Sequence, residues 1–302
     1  LPTTYLTPLT DPKRSPSAHR LAWLAADTNG IPRGSAFLRL FDKPGQDHLA
    51  EVEVHVHPAE RRDGVGTALL HAAVEAARQA GRRSLLAQAE ADSPGAAFLS
   101  ERGFRDVLTL IYARLPLTDH EPDDAAWATI TERDHPGYRL RSWDGTVPDA
   151  LAETFAASRR AMDDMPMGET DYGTVVWDVE RVRAAARAIA DRGELLHTVV
   201  AIDTADGTIA GFTELVVPGD GKGDGQHYST GVLPEHRGRG LGLWMKAEAI
   251  RQARERHPDL TALLTDTADA NHAMRAINDA LGYRPTHRST EYQLDLPVGR
   301  SH

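Results

Sequence analysis

The stretch VLPEHRGRGLGLWMKAEAI, Val232–Ile250, decides how the chain is read. An apolar segment ends at Val232, Leu233 and Pro234. Arg237, Gly238, Arg239, Gly240 and Gly242 follow, and good helix formers begin near Gly240. The first turn of a helix leaves N–H groups unpaired and carries a partial positive charge. Glycine lets a ligand oxygen approach the backbone without meeting a Cβ. Arg237 and Arg239 bring charge-assisted donors. The junction therefore reads as a pyrophosphate cradle made mainly of backbone. Its spacing is neither G-x-x-x-x-G-K-[ST] nor G-x-G-x-x-G. The plainer alternative is a tight strand-to-helix turn with surface arginines.

The same pattern stands nearer the front, in VHPAERRDGVGTALLHAAV, Val56–Val74. Val56, Pro58, Arg61, Gly64 and Gly66 match Val232, Pro234, Arg237, Gly240 and Gly242 at an offset of 176 residues. A second landmark, Gly103-Phe104 against Gly282-Tyr283, repeats at 179. Two copies of one fold are expected: residues 1–118, a connector 119–137 rich in Pro, Gly and acid, and residues 138–302. The later copy reads as β-α-α-β-β-β-α-β-α-β. The earlier one lacks room for the two front helices, because its first residues are Pro-rich.

The doubled R-x-x-G-x-G pattern resembles the GNAT superfamily of N-acetyltransferases, in a tandem form, over nearly the whole chain. The resemblance implies an α/β fold (α+β mixed sheet) with two tandem GNAT acyl-CoA N-acyltransferase domains, the first truncated at its front. It implies acetyl-CoA as donor substrate. The pantetheine would lie along the strand ending at Val232 and Leu233. The pyrophosphate would rest on the amides of Arg237, Gly238, Arg239, Gly240, Leu241 and Gly242. NHAMRAINDALGY resembles the fourth-helix motif, which places Asn271 at the donor. Asn278 stands where the family often has a tyrosine acid, and an amide can only hydrogen-bond the leaving sulfur. The corresponding cradle of the first copy is Arg61, Arg62, Gly64, Val65, Gly66 and Thr67, but Asp92 or Ser93 replaces the asparagine. Catalysis is therefore expected in the second domain, with the first non-catalytic.

An amine acceptor must lose a proton before it attacks a thioester, and a carboxylate or histidine can take it. Asp266, near the end of the strand before Asn271, is one candidate base. Glu214, within the apolar strand GFTELVV, is the other; its plain alternative is a salt-bridged structural carboxylate. His227, Tyr228 and Tyr292 are outside choices. In RAMDDMPMGETDYG, Arg160–Gly173, four acids (Asp163, Asp164, Glu169 and Asp171) read either as an attractor of a cationic amine or as a solvated loop. Met162, Met165 and Met167 suit either an apolar acceptor or the core. His55 and His57 share a strand face without an evident third ligand, so no metal is expected.

The 302 residues carry a formal charge of −10, which disfavours nucleic acid as partner. No cysteine is present, which removes a thiol nucleophile and disulfides. No apolar run has membrane-spanning length, and no signal-peptide core is evident, so a cytoplasmic enzyme without a membrane partner is expected. The expected reaction is direct transfer of acetyl to an amine of a small-molecule or peptidyl acceptor. The rivals are a non-catalytic acyl-CoA sensor and a biosynthetic acyltransferase.

Overall fold

The computed structural model describes residues 4–9, 18–42, 45–117, 124–166, 168–171 and 176–297. The first copy contributes β1 (Tyr5–Leu9), β2 (Ala18–Ala26), β3 (Pro32–Phe41), β4 (Leu49–Val56), α1 (Val65–Gln79), β5 (Ser84–Glu90), α2 (Pro94–Ser100) and β6 (Arg105–Pro116). Among the described residues no helix precedes β4, so this copy lacks the front helix pair. Then come α3 (Asp124–Thr131), β7 (Tyr138–Asp144), α4 (Ala152–Ser158), α5 (Val179–Ala190), β8 (Glu194–Asp203), β9 (Ile209–Pro218), β10 (Gly223–Val232), α6 (Leu241–Arg256), β11 (Leu260–Ala268), α7 (His272–Ala280) and β12 (Arg284–Asp295).

Two compact units result. One holds residues 1–109, 168–175 and 289–302, and the other residues 110–167 and 176–288. The closing strands are exchanged relative to a division at 118 and 138. Leu110–Pro116 of β6 pairs antiparallel with β11 in the second unit. Ser289–Asp295 of β12 pairs antiparallel with β5 in the first. Strand pairing is non-local, and an edge accepts any strand of suitable alternation, so chain order does not dictate ownership of a closing strand. The connector is also less plain than its composition suggests. Residues 118–123 lie outside the described residues, but α3 packs Trp127 and Ile130 onto the core that α6 shares, with Arg254 over the Trp127 ring at 5.3 Å.

In the first unit the strands run β1-β2-β3-β4-β5-β12, and in the second β6-β11-β10-β9-β8-β7. Each run of strands mixes one parallel pair with antiparallel ones. β8 and β9 read as continuous apolar runs because helices cover both faces. Phe155 and Val182 from α4 and α5 pack against Val200, Ile202 and Phe212. Leu241, Met245 and Ala249 of α6 pack against Val199, Ala201 and Ala210. Asp178 caps α5 by accepting from the Arg181 amide at 2.7 Å.

Candidate active site

Val232 ends β10, and a short 3-10 turn, Pro234–His236, leads into the glycine loop. Gly238 and Gly240 hold left-handed backbone, φ +75° and +76°. Gly240 is the N-cap of α6 and offers no side chain to the first-turn amides. Those amides remain available to an anion. A Cβ on Gly242 would come within 3.1 Å of Ile277 Cδ1, so this glycine admits α7 beside α6. A Cβ on Gly240 would lie 3.3 Å from His135 Cε1, whose ring stacks on Trp244 at 4.2 Å.

The two motif arginines are engaged elsewhere. Arg237 Nε donates to the Val232 carbonyl at 2.9 Å, and its two terminal nitrogens grip Asp164 at 2.5 and 2.6 Å. The pair pulls the Asp164 carboxyl below its ordinary value. Arg239 donates to the Tyr138 hydroxyl at 2.6 Å. Their observed contacts brace the loop, and the first-turn amides of α6 receive no side-chain cap. The first copy repeats this geometry: Arg61 Nε reaches the Val56 carbonyl at 3.4 Å, Gly64 at φ +84° precedes α1 at Val65, and Gly66 faces Phe98. Thr67 accepts from Arg102 at 2.6 Å.

Beside each cradle the sheet opens. β10 and β11 pair in parallel only as far as Gln226 and Leu264, although β10 continues to Val232 and β11 to Ala268. β4 and β5 likewise pair only from Leu49–Ser84 to Glu51–Leu86. A bulge between His227 and Ser229 bends β10 at the parting. The backbone beyond it is left unpaired on the β11 side, which is where an extended amide-bearing chain can bind.

Around the second parting stands a polar cluster. Asp266, on β11, reaches solvent and accepts from Gln226 Nε2 at 3.3 Å. The atoms crowded round it raise its carboxyl above the ordinary value, and Lys246 opposes that rise. Lys246, on α6, is 1% exposed and donates to Asn278 Oδ1 at 2.6 Å. Burial lowers its ammonium to about 7, against a counter-pull from Asp266. Asn278 in turn donates to Thr267 Oγ1 at 3.0 Å. The Tyr283 hydroxyl and His227 Nδ1 lie 2.8 Å apart, and His227 Nε2 is buried without a partner. Burial, with Lys246 behind it, holds the His227 imidazole neutral, well below its usual range.

Lys246, Thr267, Tyr283 and Gln226 were not singled out from the sequence. The repeat held a signal for Lys246 and Tyr283. At the offsets above, Lys246 matches Leu70, Asn278 matches Leu99, Tyr283 matches Phe104, and Asp266 matches Ala87. All four first-copy residues are buried in its apolar core. The cradle is present twice, but the polar cluster once.

Other expected residues fall differently. Asn271 caps α7, its Oδ1 accepting from the Met274 amide at 3.1 Å, and Ser93 caps α2 in the same way. Glu214 is buried, and both its oxygens are taken by Arg159, one at 2.8 Å. Arg159 itself lies among the rings of Phe155, Trp177 and Phe212. The apolar context around Glu214 therefore surrounds an ion pair, not a free base. The four acids of the loop divide between the two units. Asp163 and Asp164 belong to the second unit, and Glu169 and Asp171 to the first. Glu169 pairs with Arg105 at 3.2 Å, and Asp171 accepts from Ser84 at 2.7 Å. Met167 lies outside the described residues. Tyr228 meets Arg192 at 3.1 Å, and Tyr292 is in the first unit. His57 caps a 3-10 turn, and His55 lies 3.5 Å from Glu53. Among the described residues no group of three or more His, Asp or Glu side chains is placed to hold a metal ion.

Residues 3–104 and 162–283 match the profile of the acetyltransferase (GNAT) family. The chain belongs to the GNAT family. It is 32% identical over 257 residues to a mycothiol acetyltransferase of Stackebrandtia nassauensis, covering 84% of this chain and 76% of the relative. It is 30% identical to a mycothiol acetyltransferase of Sanguibacter keddieii, with 94% and 83% covered. Among solved structures it superposes on a tandem GNAT protein from the clavulanic acid biosynthesis pathway, with TM-score 0.74, 25% identity, and 96% and 86% of the chains covered. The chain is thus a tandem GNAT acyltransferase. GNAT enzymes use acetyl-CoA, and an acetyltransferase requires an acceptor such as an amine. No helix among the described residues is long and apolar enough to cross a membrane.

Proposed function

We propose that this GNAT protein moves acetyl from acetyl-CoA to an amine of a small-molecule or peptidyl acceptor, directly within a ternary complex, and that the second unit holds the working site. One observation carries the reading: the parted strands and glycine cradle occur in both units, but only the second surrounds them with Asp266, Lys246, Asn278, His227 and Tyr283. Asp266 serves as the base. Its raised carboxyl suits it to accept the proton of an attacking amine at neutral pH. Glu214 holds Arg159 instead. The absence of cysteine supports direct transfer over a thioester-linked enzyme. A second reading, favoured by the two mycothiol acetyltransferase relatives, is a biosynthetic acetyltransferase of that kind.

Calorimetric titration with acetyl-CoA, followed by thiol release over a panel of amines, tests the proposal. Saturable binding and amine-dependent CoA release are expected. No binding at millimolar acetyl-CoA would remove the reading.

A further inference from the structure

Lys246 is a buried amine without a contacting anion among the described residues. Its ammonium gives one hydrogen bond to a neutral amide, Asn278 Oδ1, and among the described residues no carboxylate pairs with it. Burying a charge in this way is costly, and ordinarily the group is paired or replaced by an apolar one. The first copy has that apolar solution, with Leu70 and Leu99 at the matching positions. The second copy keeps the charge where β10 and β11 part. The polar groups around it come from three neighbouring elements and the turn after one of them: Asn278 on α7, Tyr283 after it with its ring 4.9 Å from Nζ, His227 on β10, and Asp266 on β11. Asn278 is itself fixed by Thr267, so the amide that holds the ammonium cannot turn away without losing a second bond.

An ammonium in this position can answer negative charge that arises only during reaction. We infer that Lys246 meets the sulfur leaving acetyl-CoA and hands it a proton. The inference rests on the acyl-CoA reading above. The acceptor nitrogen bonds to the acetyl carbon, and its surplus proton passes to the Asp266 carboxylate. The C–S bond then breaks with its electron pair on sulfur, and sulfur takes a proton from Lys246 Nζ. Lys246 is left neutral and Asp266 protonated, and one proton passed from the second to the first through solvent restores both. With the ammonium near 7 and a thiol at its usual ~8.5, transfer to sulfur runs downhill by roughly 30-fold.

Equilibrium binding separates this role from a structural one. CoA and desulfo-CoA, which lacks only the thiol, are titrated calorimetrically at pH 6, where the ammonium is the main form of Lys246, into the full chain and into Lys246→Met. The wild type is expected to bind CoA about tenfold more tightly than desulfo-CoA. Lys246→Met is expected to bind the two equally, with desulfo-CoA affinity within about twofold of wild type. Should Lys246→Met fail to fold, Lys246→Gln, which keeps a donor toward Asn278, is read in the same way. Equal binding of both ligands by the wild type, or a preference that survives the substitution, overturns the assignment. Binding of neither ligand instead sinks the acyl-CoA reading on which it stands.

Discussion

Gly238 and Arg62 occupy matched positions in the two cradles and share one left-handed backbone, φ +75° and +72°. In the second copy the conformation is native to glycine. In the first an L-residue is forced into it, at a cost of roughly 1–2 kcal/mol. The loop shape is therefore maintained by the surrounding fold, not by the local residue. Gly238→Ala is expected to destabilise by about 1 kcal/mol through backbone strain alone, since a Cβ there meets nothing within 4 Å. Arg62→Gly is expected to cost nothing or to stabilise slightly. Urea unfolding of the two variants checks the asymmetry.

The two cradles differ in use. Gly64 and Gly240 share left-handed backbone, but a Cβ at 240 also meets His135 at 3.3 Å while one at 64 meets nothing within 4 Å, so a contrast in turnover is read as functional only where urea unfolding shows both variants folded. Gly240→Trp is expected to abolish amine-dependent CoA release while circular dichroism stays native. Gly64→Trp should leave turnover within about twofold. The opposite result would move catalysis to the first unit.

Glu214 is expected to matter for folding more than for chemistry. Removing it leaves the Arg159 guanidinium buried and unpaired, so Glu214→Ala should lose about 3–5 kcal/mol in denaturant titrations. A stable Glu214→Ala protein with normal donor affinity and no turnover would restore Glu214 as a candidate base.

Asp164 clamps Arg237, and Arg237 ties the cradle loop to the end of β10. Asp164→Asn is expected to weaken acetyl-CoA binding several-fold by calorimetry, with little effect on the acceptor KM. Glu169→Gln and Asp171→Asn, whose partners lie in the first unit, should change neither. A shared rise in acceptor KM across all three variants would revive the acidic loop as an acceptor attractor.

Lys246 makes stability depend on pH. Its folded value of about 7 lies below the ordinary 10.5, so between those limits the unfolded chain holds more protons. Stability then rises with pH across that window, by at most ~1.4 kcal/mol per unit, and the slope vanishes below about 7. The difference in unfolding free energy between wild type and Lys246→Met should grow by up to about 2 kcal/mol from pH 7.5 to 9.0. A flat difference would mean that Lys246 does not titrate there.

What the sequence by itself determined is local or repeated. Strand ends, the glycine junctions at 64–66 and 240–242, and the doubling of the motif all follow from backbone sterics and short-range spacing. These are properties a chain displays without folding in three dimensions. The tertiary structure alone decided the rest. It placed Ser289–Asp295 on β5 and Leu110–Pro116 on β11, because edge pairing is indifferent to chain order. It also gave Arg237 to Asp164 and Glu214 to Arg159, 73 and 55 residues apart. And it turned a lysine within MKAEAI into a buried, depressed ammonium, because desolvation depends on what α7 and β11 bring against it, and no spacing along α6 encodes that.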